Sequence, residues 1–206
     1  MSPTTSETCR TSRAPRSRSR RIATAVVAAA AATGLIGTGQ AQAAPKTVTV
    51  RPALQFGFDS FAPGYRAITS STVTYDKTAG YVKVVIRHRA ALPGNVSQSE
   101  SADLPMLSTA QTFQRGTSPH AITVGGDWVP GKKATGRYCV TDDFGAEDCG
   151  PVTLSRRGST VTMIARGPQL KNQPARYLSV DSRDPAGCES SCPPAGKISE
   201  RRVNLG

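Results

Sequence analysis

The chain has 206 residues, 26 Lys and Arg against 14 Asp and Glu, and a formal net charge of +12 at pH 7. Six of the bases and one acid precede residue 44, which leaves the remainder at +7 with its bases scattered along the sequence. That dispersal argues against a nucleic-acid reader, which concentrates charge on one face and adds a recognisable motif. It fits solubility or weak attraction to an anionic cell envelope.

Residues 1–43 read as an export signal. Arg10, Arg13, Arg16, Arg18, Arg20 and Arg21 form a positive leader, Ile22 to Gly37 is an Ala-rich apolar run, and Ala41-Gln42-Ala43 is a small-x-small cleavage site. The rival reading is a retained membrane anchor. The run is shorter than the roughly 20 residues a spanning helix needs, and Gly34 and Gly37 interrupt it. Ser19-Arg20-Arg21 leaves both the general secretory and the twin-arginine routes open. The expected product is extracellular, starts at Ala44, and has a single domain over 44–185 with a tail over 186–206. Phe56, Phe58, Phe61, Tyr65, Tyr75, Tyr81, Phe113, Trp128, Tyr138, Phe144 and Tyr177 supply the aromatic material for one core.

The mature chain reads as short strands separated by turn chemistry. Thr47 to Val50 alternates, as does Ala67 to Tyr75. Asp76-Lys77-Thr78-Ala79-Gly80 has hairpin length and ends in Gly. In Tyr81 to Arg89, Val82, Val84 and Ile86 share one face and Lys83, Arg87 and Arg89 the other. This period of two is the clearest structural signal in the chain. Residues 90–119 read as a long loop with one strand near Ala110 to Phe113. Strands follow at 121–124, 136–141, 151–154 and 159–165, then a helical turn within 168–174, a strand at 175–181 and a last one at 202–205. Many short strands at regular spacing predict an all-β fold, a single antiparallel β-sandwich of immunoglobulin-like or jelly-roll-like kind.

Cys139, Cys149, Cys188 and Cys192 remain after cleavage, an even number suited to an oxidising compartment. The expected pairs are Cys139–Cys149 and Cys188–Cys192. With Phe144 at the centre of a hairpin, residues 139 and 149 face each other across it, near disulfide range. Spacings of C-x9-C and C-x3-C do not make the paired knuckles of a zinc site.

Val73-Thr-Tyr-Asp-Lys-Thr-Ala-Gly-Tyr-Val-Lys-Val-Val-Ile86 resembles the early hairpin of certain exported sandwich domains. Ser159-Thr-Val-Thr-Met-Ile-Ala-Arg-Gly-Pro-Gln-Leu170, leading to Tyr177-Leu-Ser-Val-Asp181, resembles their later strands. Both stretches are similar to DOMON-like and carbohydrate-binding-module-9-like proteins. The abundance of Ala, Arg, Gly, Pro and Thr resembles exported proteins of high-GC Gram-positive bacteria. The resemblance covers about half the mature chain. It implies a sandwich, and ligands of sugar or haem type, without assigning a ligand residue.

Several residues invite a chemical role. Asp142, Asp143, Glu147 and Asp148 surround one hairpin tip and offer oxygen ligands for calcium, or else serve as ordinary solvated turn residues. Trp128, the only Trp, is either a sugar-stacking platform or a plug at the core edge, and Tyr65 is a weaker platform of the same kind. His88 ends the apolar face of its strand and His120 starts another, where histidines are usually structural. No G-x-S-x-G elbow is present. The leading reading is a secreted, non-catalytic binding module at or near the cell envelope, with extracellular polysaccharide as a partner and no cofactor. The alternatives are a small secreted hydrolase and a structural or inhibitory exoprotein without a small ligand.

Overall fold

The computed structural model describes residues 44–52, 63–115, 120–185 and 196–205. The expected export signal 1–43, the expected Cys188–Cys192 pair and Phe56, Phe58 and Phe61 lie outside these residues. Within them the protein is all-β and antiparallel: β1 (Lys46–Val50), β2 (Ile68–Asp76), β3 (Tyr81–His88), β4 (Gln98–Pro105), β5 (Ala121–Trp128), β6 (Thr135–Thr141), β7 (Glu147–Arg157), β8 (Thr160–Arg166), β9 (Tyr177–Arg183) and β10 (Gly196–Arg202). One short helix, α1 (Thr109–Arg115), joins β4 to β5.

The ten strands form one continuous sheet in the order β1-β2-β3-β8-β7-β6-β5-β4-β9-β10. The expected all-β antiparallel class is thus seen, as a single sheet that is nearly barrel-shaped. The physical reason is β7. Its first half pairs with β6 from Glu147 to Pro151, and its second half pairs with β8 from Val152 to Arg157. One eleven-residue strand thus belongs to both halves of the sheet and makes them continuous.

Alternation places one apolar row after another inside. Val73, Tyr75, Val82, Val84, Ile86, Val161, Met163 and Ala165 come from one half, and Ala102, Leu104, Ile122, Val124, Leu178, Val180 and Ile198 from the other. All belong to a single buried cluster. The β2–β3 turn closes as its sequence suggests. Asp76 Oδ1 accepts the amides of Thr78 and Ala79 at 3.0 and 2.9 Å, and Gly80 takes a φ of 65°, where a side chain would be strained. Cys139 and Cys149 stand directly opposite each other and are bonded. Phe144 lies at the hairpin tip and is almost fully exposed, so it contributes nothing to the core.

Three elements depart from expectation. Residues 98–105 form β4, a central strand between β5 and β9, instead of loop. The stretch near Ala110 is helical because Ser108 and Gln111 make a reciprocal capping box. Gln111 N donates to Ser108 Oγ at 3.2 Å, and Ser108 N donates to Gln111 Oε1 at 3.1 Å. The last strand lies at 196–202, not 202–205, and pairs with β9. Among the described residues no helix is long and apolar enough to cross a membrane.

Candidate functional site

Three places collect polar chemistry. The first is inside. β4 turns Gln98 and Glu100 inward on the same face as Ala102 and Leu104, and all four are fully buried. Glu100 Oε1 lies 3.0 Å from His88 Nε2 on β3. It accepts a hydrogen bond from Ser182 Oγ on β9 at 3.1 Å and another from the Gln98 amide. Gln98 Nε2 also donates to Ser182 Oγ at 2.9 Å. Gln98 Oε1 accepts from both terminal nitrogens of Arg156 on β7, at 3.3 and 3.2 Å. Burial pushes the Arg156 pKa down, and the Glu100 carboxylate opposes that shift.

A serine, a histidine and a carboxylate therefore meet, but not as a triad. In a triad the serine hydroxyl bonds the imidazole and the acid holds the other ring nitrogen. Here Ser182 and His88 converge on the same carboxylate oxygen. His88 has the distance of an ion pair to Glu100 without the direction of a hydrogen bond, and its Nδ1 has no hydrogen-bond partner. Sequence reasoning placed His88 on the inward face but missed Gln98, Glu100 and Ser182. Their signal was an alternation whose inward members are polar.

The second place is the β6–β7 hairpin. A shallow pocket of about 300 Å3 is lined by His120, Asp142, Glu147, Asp148, Gln169 and Gln173. His120 Nε2 lies 2.8 Å from Gln173 Oε1, and Nδ1 lies 3.7 Å from Asp143 Oδ1. Asp142 Oδ1 accepts the amides of Phe144 and Ala146, both at 2.9 Å. Asp148 Oδ1 accepts from Gln169 Nε2 at 3.2 Å. Three of the four acids, Asp142, Asp143 and Asp148, thus hold separate tasks around the tip. Among the described residues the one metal-reach trio is Cys139, Glu147 and Cys149, and its two sulfurs are joined in the disulfide.

Both aromatic platforms already carry a guanidinium. Trp128 is half-buried and packs against the core, with Arg156 5.8 Å from its ring centroid. Tyr65 is half-buried beneath Arg66, at 5.5 Å. Arg66 in turn is buried and pairs with Asp184 at 3.1 Å.

The third place is the outer surface, where the two halves of the sheet differ. On the half made by β1, β2, β3, β8 and β7, strand register aligns Thr49, Thr72, Val85, Thr162 and Ser155 in one row. Thr47, Thr74, Lys83, Ile164 and Thr153 form the next. Hydroxyls bond across strands, Thr47 to Thr74 and Thr49 to Thr72, each at 2.9 Å. Lys83, Arg87, Arg157 and Arg166 share this face. Arg166 lies 4.8 Å from the Tyr81 ring centroid. Lys83, Arg87 and Arg157 make no ion pair among the described residues. Among the described residues the one acid on the face, Asp76, faces its own turn amides. Bases dispersed in sequence are therefore gathered by the register. On the other half the outer residues of β4, β5 and β6 border a groove of about 440 Å3 over Gly125.

No known protein family, curated protein or solved structure matches this chain.

Proposed function

We propose that this protein is an exported, non-catalytic binding module. It holds an anionic polysaccharide of the cell envelope against the outer face of β1, β2, β3, β8 and β7, and the two curled halves of its sheet act as the layers of a β-sandwich. The observation that carries this reading is the gathering of Lys83, Arg87, Arg157 and Arg166 on one hydroxyl-covered face without a competing free acid among the described residues. Arg87 and Arg157 flank Thr160 across two strand spacings, roughly 10 Å apart. Lys83 lies roughly 13 Å along the strand from Arg87. An extended polymer with repeated negative charges can engage both ends of this face while its hydroxyls meet the threonine rows between them.

The Cys139–Cys149 bond supports an oxidising compartment. Among the described residues the face offers Tyr81 alone as an aromatic, and Arg166 already lies over that ring. Single-stranded nucleic acid is usually held by several stacking rings. The hydrolase alternative draws no support from His88, which is buried and makes no hydrogen bond to Ser182, the two facing the same Glu100 oxygen.

The test is retention of the mature protein on an immobilised carboxylated or sulfated polysaccharide, with dextran and single-stranded DNA as comparison arms. Binding should be selective for the anionic glycan. It should fall steeply as salt shortens the screening length below about 8 Å. Lys83→Glu with Arg87→Glu and Arg157→Glu should abolish it. Equal retention on dextran would overturn the proposal, and stronger retention on DNA would replace the ligand class.

A further inference from the structure

A glycine inside a strand weakens it by roughly 0.5–1 kcal/mol relative to Ala, so each one asks for a reason. β5 and β6 carry three side by side: Gly125, Gly126 and Gly136. Two sit against close neighbours, Gly136 against backbone and Gly126 against the end of a leucine. A Cβ on Gly126 would fall 2.6 Å from Leu154 Cδ2, and one on Gly136 would fall 2.8 Å from the Gly125 carbonyl and 3.0 Å from Leu154. Gly125 points to the opposite face. A Cβ there would meet Glu100 O at 3.4 Å and Arg137 O at 4.0 Å, ordinary contacts. Its φ is not in the left-handed region either. The fold does not require glycine at 125.

What Gly125 does is floor a groove. Register sets Ser101, Gly125 and Arg137 in one row, and Ser99, Asp127 and Thr135 in the next. These six residues border the 440 Å3 groove, within the range of small-ligand sites. Asp127 and Arg137 make no ion pair with any other described residue. The groove thus offers one carboxylate that accepts, one guanidinium that donates, and three hydroxyls that do both. Its formal charge is balanced, unlike the cationic face. A bare backbone at its centre admits close approach of a flat ring.

We infer that the Gly125 groove binds one uncharged sugar ring. Asp127 accepts from two neighbouring ring hydroxyls, Arg137 donates to a ring or hydroxyl oxygen, and Ser99, Ser101 and Thr135 complete the hydrogen bonds. This site is separate from the anionic-polymer face and does not depend on it. A sugar held without an aromatic stacking partner binds weakly, at millimolar dissociation constants corresponding to about −4 kcal/mol.

The test is an amide NMR titration of the mature protein with methyl glucoside, methyl galactoside, methyl mannoside and N-acetylglucosamine, and with sorbitol as an open-chain control. At least one ring sugar should shift amides in the two rows, and sorbitol should not. Gly125→Val fills the groove with a residue that strands favour. It should remove the shifts while the melting temperature holds or rises. Asp127→Asn should weaken binding by about tenfold, the ratio equivalent to 1.4 kcal/mol, and it gives the answer even if Gly125→Val misfolds. Both variants should keep the retention on anionic polysaccharide. Absence of shifts with every sugar, or shifts that survive both substitutions, would overturn the inference.

Discussion

At one end of the curled sheet the interior consists of Tyr75, Val82, Leu104, Ile122 and Leu178; at the other end the same group of strands turns inward Ser71, His88, Gln98, Glu100 and Ser182. Both sets are buried, yet they are held by different physics. The apolar end is stabilised by area removed from water, which is non-directional and tolerates repacking. The polar end depends on direction. Glu100 joins β3, β4 and β9 through one carboxylate oxygen, and Gln98 extends the link to Arg156 on β7. Slipping any of these strands by one residue would turn its polar member outward and leave the others unpaired. The polar end therefore specifies register, while the apolar end supplies most of the driving force. Among the described residues Glu100 Oε2, His88 Nδ1 and Ser71 Oγ nevertheless have no hydrogen-bond partner, so this specificity carries a cost in stability.

The largest effect should come from breaking the polar end on one side only. Glu100→Ala leaves His88, Gln98 and Ser182 buried around a missing acceptor and should cost about 3–5 kcal/mol in urea unfolding. The double change Glu100→Met with His88→Leu removes both polar partners together and should cost clearly less than the single one. If it costs more, the cluster stabilises the fold outright and the contrast between the two ends is lost.

At the apolar end, Leu104→Ala should cost about 2–5 kcal/mol through lost transfer energy and the cavity left behind. No second substitution elsewhere at that end should rescue it except one that refills the volume. Rescue by a polar residue would show that the two ends are not chemically distinct.

Tyr75 is where the apolar end borrows direction. Its hydroxyl donates to Leu170 O at 2.6 Å and accepts from Gln173 N at 2.9 Å, tying the 3-10 turn at Pro168–Leu170 to the core. Burial pushes its pKa up to about 12. Tyr75→Phe orphans both backbone groups and should cost about 1–3 kcal/mol. Hydrogen exchange should speed up at Gln173 well before it does at Val84.

The smallest effect concerns a charge on the outer face. Burial raises the Asp103 pKa above its ordinary 3.8, hydrogen bonds from Thr123 and Ser179 oppose the rise, and the nearby Asp181 carboxylate adds to it. Between 3.8 and the raised value the folded state binds more protons than the unfolded one, so stability falls as pH climbs through that window. Asp103→Asn should therefore melt slightly higher than the parent at neutral pH, with the gap closing below the ordinary carboxylate range. A gap that stays constant with pH would show that Asp103 acts through packing instead of charge.

The β2–β3 hairpin was legible in the sequence because most of its inward positions, Val73, Tyr75, Val82, Val84 and Ile86, are apolar, and period two is then unmistakable. β8 was legible for the same reason. β4 was not: Gln98-Ser-Glu-Ser-Ala-Asp-Leu104 alternates as strictly in space, but its inward members begin with Gln and Glu, so hydrophobicity hides the period. The helix near 110 carried a capping-box signal, Ser108 with Gln111, inside a stretch otherwise read as loop. Asp142 to Asp148 was legible as a turn, since Asp142 spends its oxygen on turn amides whatever else the acids do.

The sequence by itself determined the all-β class, the antiparallel hairpins and the Cys139–Cys149 pairing, because each depends on neighbours within about a dozen residues. Only the tertiary structure decided which surfaces carry chemistry. Lys83, Arg87, Arg157 and Arg166 become one face, and Ser99, Gly125 and Arg137 one groove, through pairings between distant strands that no local period encodes. It also decided that Gly126 and Gly136 make room for Leu154 while Gly125 does not. That distinction depends on which face of a pleated strand each glycine occupies and on what lies across from it.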